Sequence, residues 1–299
     1  MKKIIIYFAQ LLISILLIIW AFGGVDYSSV KEFIFDLPKY KILLILLLAS
    51  INWTTNFYYY MFTLKESKIK FTKKEALISF LVGYVLRLTI PGGYGEVGKL
   101  ALIRGKIKNK LTGYMLKLIT EFLLLVFMLG FAITVLFPEK KYLIVISILP
   151  ILFVLLIPIL RKIKYINLLT IPNVKYQKFI IINSLFALAL YITFILQYQV
   201  ILWEYDIAFI KIIAICIVVL SAVGIPISVA GIGVRENVSL FFLAMHGIPE
   251  NIAISIPMIV FAFNGLIPAF VGALILLFGK NKINFINHRK DNKNINSEE

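Results

Sequence analysis

The sequence has one cysteine, two histidines and about half as many acidic residues as basic ones, and each scarcity closes off a class of chemistry. The single thiol, Cys216, can form no intramolecular disulfide and no cysteine-based metal site; it lies among Ile and Val, where it reads as packing. His246 and His288 are too few and too far apart for a histidine-based metal cluster. No metal and no cofactor is expected. Charge is scarce too: 15% of residues are charged against 61% hydrophobic, and mean hydropathy is +0.95. A water-soluble domain is about 45–50% apolar, so the solvent for most of this chain is a lipid bilayer.

The charge that remains is lopsided, with 31 Lys and Arg against 15 Asp and Glu and a net +16. Such an excess suits nucleic acid or anionic lipid. The basic residues fall in short clusters between long apolar runs, as in cytoplasmic loops, and no RNP, zinc-finger or helix-turn-helix pattern accompanies them. Nucleic acid is therefore not expected as a partner.

Spanning a bilayer takes about 20 apolar residues. Six runs reach or approach that length: 4–22, 42–64, 111–137, 142–160, 179–203 and 252–278. Lys2 and Lys3 ahead of the first run mimic a signal peptide, but AFGGVDY is a poor cleavage site and the run is expected to be retained. Two further stretches are too short. The one from 75 to 90 is broken by Pro91, and the one from 207 to 224 is interrupted by Gly224, Pro226, Gly231 and Gly233. Each is followed by a brief apolar stretch, 97–103 and 237–245.

The positive-inside rule tests how these broken pieces run. If each is a re-entrant hairpin, about 75–104 and 207–247, then 21 basic residues fall on the cytoplasmic side and six outside, with Arg87, Lys99, Lys117 and Arg235 in or beside the broken segments and the helix after the first. A full crossing at either place would put the loop charges out of phase. The hairpins then enter from opposite faces, the pattern of an inverted-repeat transporter with its site near the midplane. The expected fold is an all-α integral membrane protein of six full transmembrane helices plus two opposed re-entrant helical hairpins. Residues 1–279 form one polytopic domain and 280–299 a cytoplasmic tail; both termini face the cytoplasm of a cell-membrane protein.

A charge at the centre of a spanning helix costs on the order of 2.5–3.5 kcal/mol. Arg87, Glu96, Lys99, Lys117, Glu121, Arg235 and Glu236 must therefore pair, or face water and a polar ligand. Irregular backbone at Pro91, Gly92, Gly93 and Gly95, and at Pro226, Gly231 and Gly233, leaves N–H groups unsatisfied at a half-helix start. With the cations, these residues favour an anion, a phosphate or carboxylate. The bland alternative is a set of ion pairs that only hold the hairpins: Arg235 with Glu96 or Glu236, Arg87 with Glu96, and Lys117 with Glu121. Tyr58, Tyr59 and Tyr60, with Asn52, Trp53 and Asn56, could line a pathway, although an interfacial belt is the commoner use of such aromatics. Gln197 and Asn264 are accounted for by helix–helix hydrogen bonding.

Two stretches resemble a known family. "IPGGYGEVGKLALI" is similar to the Pro-Gly-x-x-Gly-Glu segment, with a basic residue three positions on, of the transmembrane region of lysylphosphatidylglycerol synthetases and its stand-alone, flippase-like relatives. "GIPISVAGIGVRENVSLFFLAMHGIP" looks like that family's Pro…Gly-x-Gly-x-x-Glu segment. The resemblance covers residues 3–278. Two positions depart: Glu121 is followed by Phe122 where the family often shows Glu-Arg, and an Arg usual near the last span is replaced around Asn264. The resemblance implies a protein that handles a lipid-linked polar headgroup, as aminoacyl-phospholipid flippases do. The soluble aminoacyl-transferase domain is expected to be absent, since about twenty residues follow the last run.

The leading expectation is a translocase that moves an anionic or phosphate-bearing lipid, aminoacylated or not, between leaflets. Arg87, Lys99 and Arg235 would neutralise the headgroup, Glu96 and Glu236 would orient those cations or meet an amine on the substrate, and the glycines would let backbone approach. The alternatives are a membrane-embedded lipid-phosphate transferase or phosphatase, weakened by the lack of a nucleophile beside a base, and a small-solute secondary transporter. Oligomeric state is left open, a homo-oligomer included.

Overall fold

The structure is a computed structural model that describes residues 2–23, 25–90, 94–152, 176–225 and 227–278. The side chains of 2–10, 94, 96, 176 and 177 lie outside that description, and so does the expected tail at 280–299. Among the described residues every regular element is helical. Four helical stretches are long and apolar enough to cross a membrane: α3 (Lys39–Glu66), α6 (Ile107–Leu136), Lys178–Leu202 within α7 (Tyr176–Leu202), and Glu250–Phe278. Leu43, Leu47, Phe122, Leu185 and Phe270 point outward from them, as lipid-facing side chains do.

The two other expected spans look different. The run at 4–22 is helical as α1 (Lys2–Phe22), and it meets α2 (Tyr27–Phe35) at 89°. Asp26 starts α2 by accepting from the backbone N–H groups of Ser28 and Ser29 at 3.2 and 3.1 Å. The run expected at 142–160 does not form one regular α-helix: it opens inside a 3-10 helix, Pro138–Ser147, with Lys140 off helical angles, and its part beyond 152 lies outside the described residues. The 3-10 segment is held to α6 by the Ser147 hydroxyl, which donates to the Phe127 carbonyl at 2.7 Å, next to Gly130, where a side chain would collide with Ser147.

The first broken stretch begins at α4 (Lys73–Thr89), capped by a reciprocal pair: Thr72 N–H donates to Glu75 Oε2 at 2.8 Å and Glu75 N–H to Thr72 Oγ1 at 3.2 Å. After the break come α5 (Tyr94–Gly98) and a 3-10 turn, Lys99–Leu102. This leg lies back along α4. Gly95 packs on the Leu86 backbone, Lys99 on Gly83, and Gly105 on Ile69 just ahead of α4. The second broken stretch is α8 (Phe209–Val223), a 3-10 turn Val229–Gly231, and α9 (Val234–Ala244). It also doubles back: Ile212 near the start of α8 shares a core cluster with Leu243 and Ile248 past the end of α9. Burial and the nearby Lys211 ammonium hold His246 below its ordinary pKa.

Two apolar clusters surround these folded-back stretches. One joins Tyr60, Leu64, Phe80, Leu100 and Tyr114, and the other joins Ile45, Tyr198, Ile215, Leu243 and Ile256. The last span runs through α10 (Glu250–Phe261), a π-helical turn Ala262–Leu266, and α11 (Ile267–Phe278). Pro257 has no N–H for the Ala253 carbonyl, and the Ser239 hydroxyl of α9 donates to that carbonyl at 3.0 Å. Gln197 and Asn264 exchange amide hydrogen bonds of 3.2 and 2.6 Å between α7 and the π turn, the helix–helix use expected for them.

At the start of α3 the Lys41 ammonium is buried and 3.0 Å from Glu204 in the loop after α7. Its hydrogen bond and charge, with the Tyr40 hydroxyl, hold the Glu204 carboxyl below the usual carboxylate range. A depressed carboxylate stabilises the folded state above its ordinary pKa and loses that contribution as pH falls through the folded value. Local opening at the α3 start, read from hydrogen exchange corrected for the intrinsic rate at each pH, is therefore expected to stay level from neutrality to about pH 5 and to rise below it. Glu204→Gln should remove that acid-dependent rise.

Candidate functional site

The sequence around the second break dictates a tight, left-handed turn. Ala230, Gly231 and Gly233 have φ of 52°, 76° and 83°, conformations that glycine adopts without strain. α1 closes over the turn: the Ser14 hydroxyl accepts from Val229 N–H at 2.9 Å, and a side chain on Gly233 would meet Leu17 Cβ at 2.6 Å. Asn237 fastens the same contact by donating to the carbonyls of Leu17 and Gly233, both at 2.7 Å.

α9 starts directly on this turn with Arg235 and Glu236, both buried, at 6% and 4% exposure. The Glu236 carboxylate serves two donors. One oxygen accepts from Gly233 N–H at 2.6 Å, capping the helix, and the other accepts from Arg235 Nε at 2.6 Å. The guanidinium carbon sits 3.5 Å from the Phe261 ring centroid, on the turn before the π segment. Nε is the only side-chain donor of Arg235 with a protein acceptor among the described residues. The stacked ring and the Nε bond fix the plane of the fork, leaving its terminal Nη groups to an acceptor from elsewhere.

The two broken stretches meet here. The turn Val229–Gly231 packs against α4, and the Arg87 charge acts on Arg235. α11 packs closely on α4, with Gly272 against the Leu81 carbonyl, where any side chain would overlap. The site thus combines two guanidinium groups with one carboxylate already committed as a cap.

A second group of the expected residues gathers between α3, α6 and the leg after α4. Lys99 is buried, with its ammonium 4.9 Å from the Tyr60 ring centroid and 5.6 Å from that of Tyr114. Its backbone carbonyl accepts from the Ser79 hydroxyl at 2.7 Å, and Ser79 and Tyr60 share a hydrogen bond of 2.8 Å. Lys117 is buried as well, 3.1 Å from Glu121 and 4.7 and 5.8 Å from the Tyr59 and Tyr114 ring centroids. The intrahelical pair Lys117–Glu121 and the neighbouring pair Arg235–Glu236 are therefore formed, as the bland alternative required for those residues. Pro91, Gly92, Gly93 and Pro226 lie outside the described residues, and so does the side chain of Glu96.

Several participants were not singled out as site residues from sequence. Tyr59, Tyr60 and Tyr114 host the two lysines, whereas Tyr58 alone of its run is exposed in the manner of a belt. Phe261, Ser14 and Asn237 build the turn around Arg235. Only the tyrosine run carried a signal. Asn52 and Asn56 of the same stretch bond to Thr193 at 2.6 Å and to Tyr84 at 3.1 Å, joining helices. Among the described residues no group of three or more His, Cys, Asp or Glu could hold a metal ion.

The family model for the lysylphosphatidylglycerol synthase TM region matches residues 7–272, and the chain belongs to that family. No curated protein matches the chain.

Proposed function

We propose that this member of the lysylphosphatidylglycerol synthase TM-region family is a lipid translocase, moving an anionic or phosphate-bearing lipid, aminoacylated or not, between leaflets. Family membership and the apolar helices make the chain a multi-pass membrane protein of lipid-modifying or transport type. The narrower reading is carried by one observation. Arg235 is buried, stacked on Phe261 against an apolar span and oriented, with terminal N–H groups that no described protein acceptor takes up. Hydrocarbon supplies no acceptor, so such a fork is costly unless a ligand or water meets it. A guanidinium fork matches a phosphate or carboxylate in bidentate fashion.

In this reading residues 1–279 form one polytopic domain of a cell-membrane protein, with both termini and the tail in the cytoplasm. The stretches 75–104 and 207–247 enter as re-entrant hairpins from opposite faces, an inverted-repeat arrangement with six full spans. Arg235 grips the headgroup, and Arg87, Lys99 and Lys117 add positive field. Glu236 and Glu96 orient the cations, and Glu121 partners Lys117. The glycines at 92, 93, 95, 231 and 233, beside Pro91 and Pro226, let backbone approach the headgroup.

The test is leaflet exchange in proteoliposomes of the full chain, with labelled lipids of anionic and zwitterionic headgroup. Faster exchange of the anionic lipid than in protein-free vesicles supports the reading. Exchange at the protein-free rate, with uptake of a water-soluble organic phosphate instead, would replace the lipid by a small solute. Covalent change of the lipid would replace transport by catalysis.

A further inference from the structure

Where α3 stops and α4 and α6 start, the bundle carries a charged surface that the Arg235 site does not use. All five lysines between 65 and 74 are exposed, and so are Arg104, Lys106 and Lys108. The two segments are interlocked. Ile69 and Ile103 are buried in one apolar cluster with Leu64, Gly105 packs on Ile69, and a side chain on Gly113 would overlap the Ser67 hydroxyl. The buried Lys110 ammonium donates to the Ile103 carbonyl at 2.8 Å and fixes the second segment. Opposing charge is scarce. The acids of this region, Glu66 and Glu75, are half-buried, and the Glu75 carboxylate accepts from the Thr72 N–H at 2.8 Å and from its hydroxyl at 3.0 Å.

Several of these cations stand where the helices alone would favour another residue. α3 ends in a Schellman turn: Ile69 N–H donates to the Leu64 carbonyl at 3.1 Å and Lys68 N–H to the Lys65 carbonyl at 3.0 Å. The residue after the cap of such a turn is left-handed and usually glycine, yet Lys68 holds it, at φ 56°. Lys73 and Lys74 open α4, and Lys106 precedes α6 with Lys108 in its first turn, at helix ends whose dipole favours acidic side chains. Local stability is given up at each place for an outward cation. A loop-charge bias that only orients the chain in a membrane requires neither interlocked turns nor a left-handed lysine.

The neighbours of the cations identify what they meet. Leu77 in the second turn of α4 is exposed, as are Ile107 and Met115 of α6, a helix long and apolar enough to span. Cations that adjoin lipid-facing side chains on the same helices sit at headgroup level. A cluster of about four to eight Lys or Arg beside a span suits anionic phospholipid. A soluble polyanion would need no apolar border.

We propose that the interlocked segments 65–74 and 104–108 form a docking surface for the anionic phospholipid headgroups of the adjoining leaflet, separate from the Arg235 site. The ammonium groups and Arg104 meet lipid phosphates while Leu77 and Ile107 meet acyl chains. The surface does not depend on the transport reading, and lipid exchange enters none of the measurements that test it.

The test uses the full chain reconstituted in phosphatidylcholine vesicles that carry a minor share of phosphatidylglycerol. Leu77→Trp, with Trp20, Trp53 and Trp203 replaced by phenylalanine, sets one fluorescent reporter beside the surface. At low salt brominated phosphatidylglycerol should compete for the reporter at least about tenfold better than brominated phosphatidylcholine, since each lysine near an anionic surface is worth about fivefold. High salt should bring that ratio toward one. Lys68→Gln, Lys70→Gln, Lys73→Gln and Lys74→Gln combined should do so at low salt. Lys68→Gly alone should lower the ratio by about fivefold yet raise the unfolding temperature, because it removes a cation and relieves the left-handed backbone. If the reporter chain does not fold, spin-labelled forms of the two lipids read the same preference on the unaltered chain and its loss in the four-lysine variant. Equal competition by the two lipids overturns the proposal, and retention of soluble inositol hexakisphosphate by the same chain would then give the surface to a soluble polyanion. A preference that survives in the four-lysine variant overturns it as well.

Discussion

Replacing Arg235 with glutamine is expected to slow leaflet exchange of the anionic lipid by about a hundredfold, in protein that still elutes as a folded species. Two charge-assisted hydrogen bonds from the fork are worth about 3 kcal/mol together, and each 1.4 kcal/mol is a factor of about ten. Stability should fall too, because Glu236 loses the partner bonded to its Oε1. The fold survives because Glu236 Oε2 still caps α9 through Gly233 N–H at 2.6 Å. Arg235→Lys separates charge from geometry. A lysine ammonium cannot at once bond Glu236, stack on Phe261 and present two parallel donors. Exchange in that variant should stay within about tenfold of the glutamine variant. Full recovery with lysine would mean that positive charge alone matters and that the fork does not. The readout is the initial exchange rate per reconstituted molecule, with thermal unfolding measured alongside.

The largest structural effect is expected from a single methyl group. Gly95 and Gly98 both sit in α5, four-fifths of a turn apart, and alanine is the better helix former at either by about 1 kcal/mol. Their surroundings reverse that equality. A Cβ on Gly95 would overlap the Leu86 carbonyl and reach Arg87 N at 2.6 Å, all backbone of α4 that cannot swing aside. A Cβ on Gly98 would meet the Leu86 Cδ1 methyl at 3.0 Å, the end of a flexible side chain. Gly95→Ala must therefore lift the returning leg off α4 and should cost about 3 kcal/mol or more, whereas Gly98→Ala should be neutral within about 1 kcal/mol. Because the collision falls at Leu86 and Arg87, the displaced leg also disturbs the Arg87 charge that acts on Arg235. Exchange should fall in Gly95→Ala and persist in Gly98→Ala. Thermal unfolding of the pair in detergent checks the contrast, and equal stability of the two variants would contradict the packing described for α5.

The sequence carried the membrane character, four of the spans and the family, because each rests on long-range averages: a hydropathy run, a loop-charge bias, a motif. It also carried Lys117–Glu121, since four residues apart on a helix means neighbours in space. It did not carry the hosts of the lysines. A run of tyrosines reads the same whether it rings a membrane interface or faces an ammonium, and only packing assigns Tyr59 and Tyr60 inward and Tyr58 outward. Phe261 was silent because one phenylalanine in an apolar span is ordinary; its place under Arg235 follows from the contact of α9 with α10. Glu236 was legible as an intramembrane charge but not as the cap of α9, which depends on the bend at Gly231 and Gly233 bringing Gly233 N–H to its carboxylate. The run at 142–160 had the composition of a span; its first residues belong to the 3-10 segment Pro138–Ser147 along α6, and its part beyond 152 lies outside the described residues.

A cryo-electron microscopy reconstruction of the full chain in nanodiscs of anionic lipid addresses the central claim most directly. The account predicts headgroup density within hydrogen-bonding distance of the terminal nitrogens of Arg235, with Arg87 on the same cavity and acyl chains leaving toward the bilayer. Terminal nitrogens satisfied by protein acceptors alone, with no headgroup density between the two breaks, would contradict it.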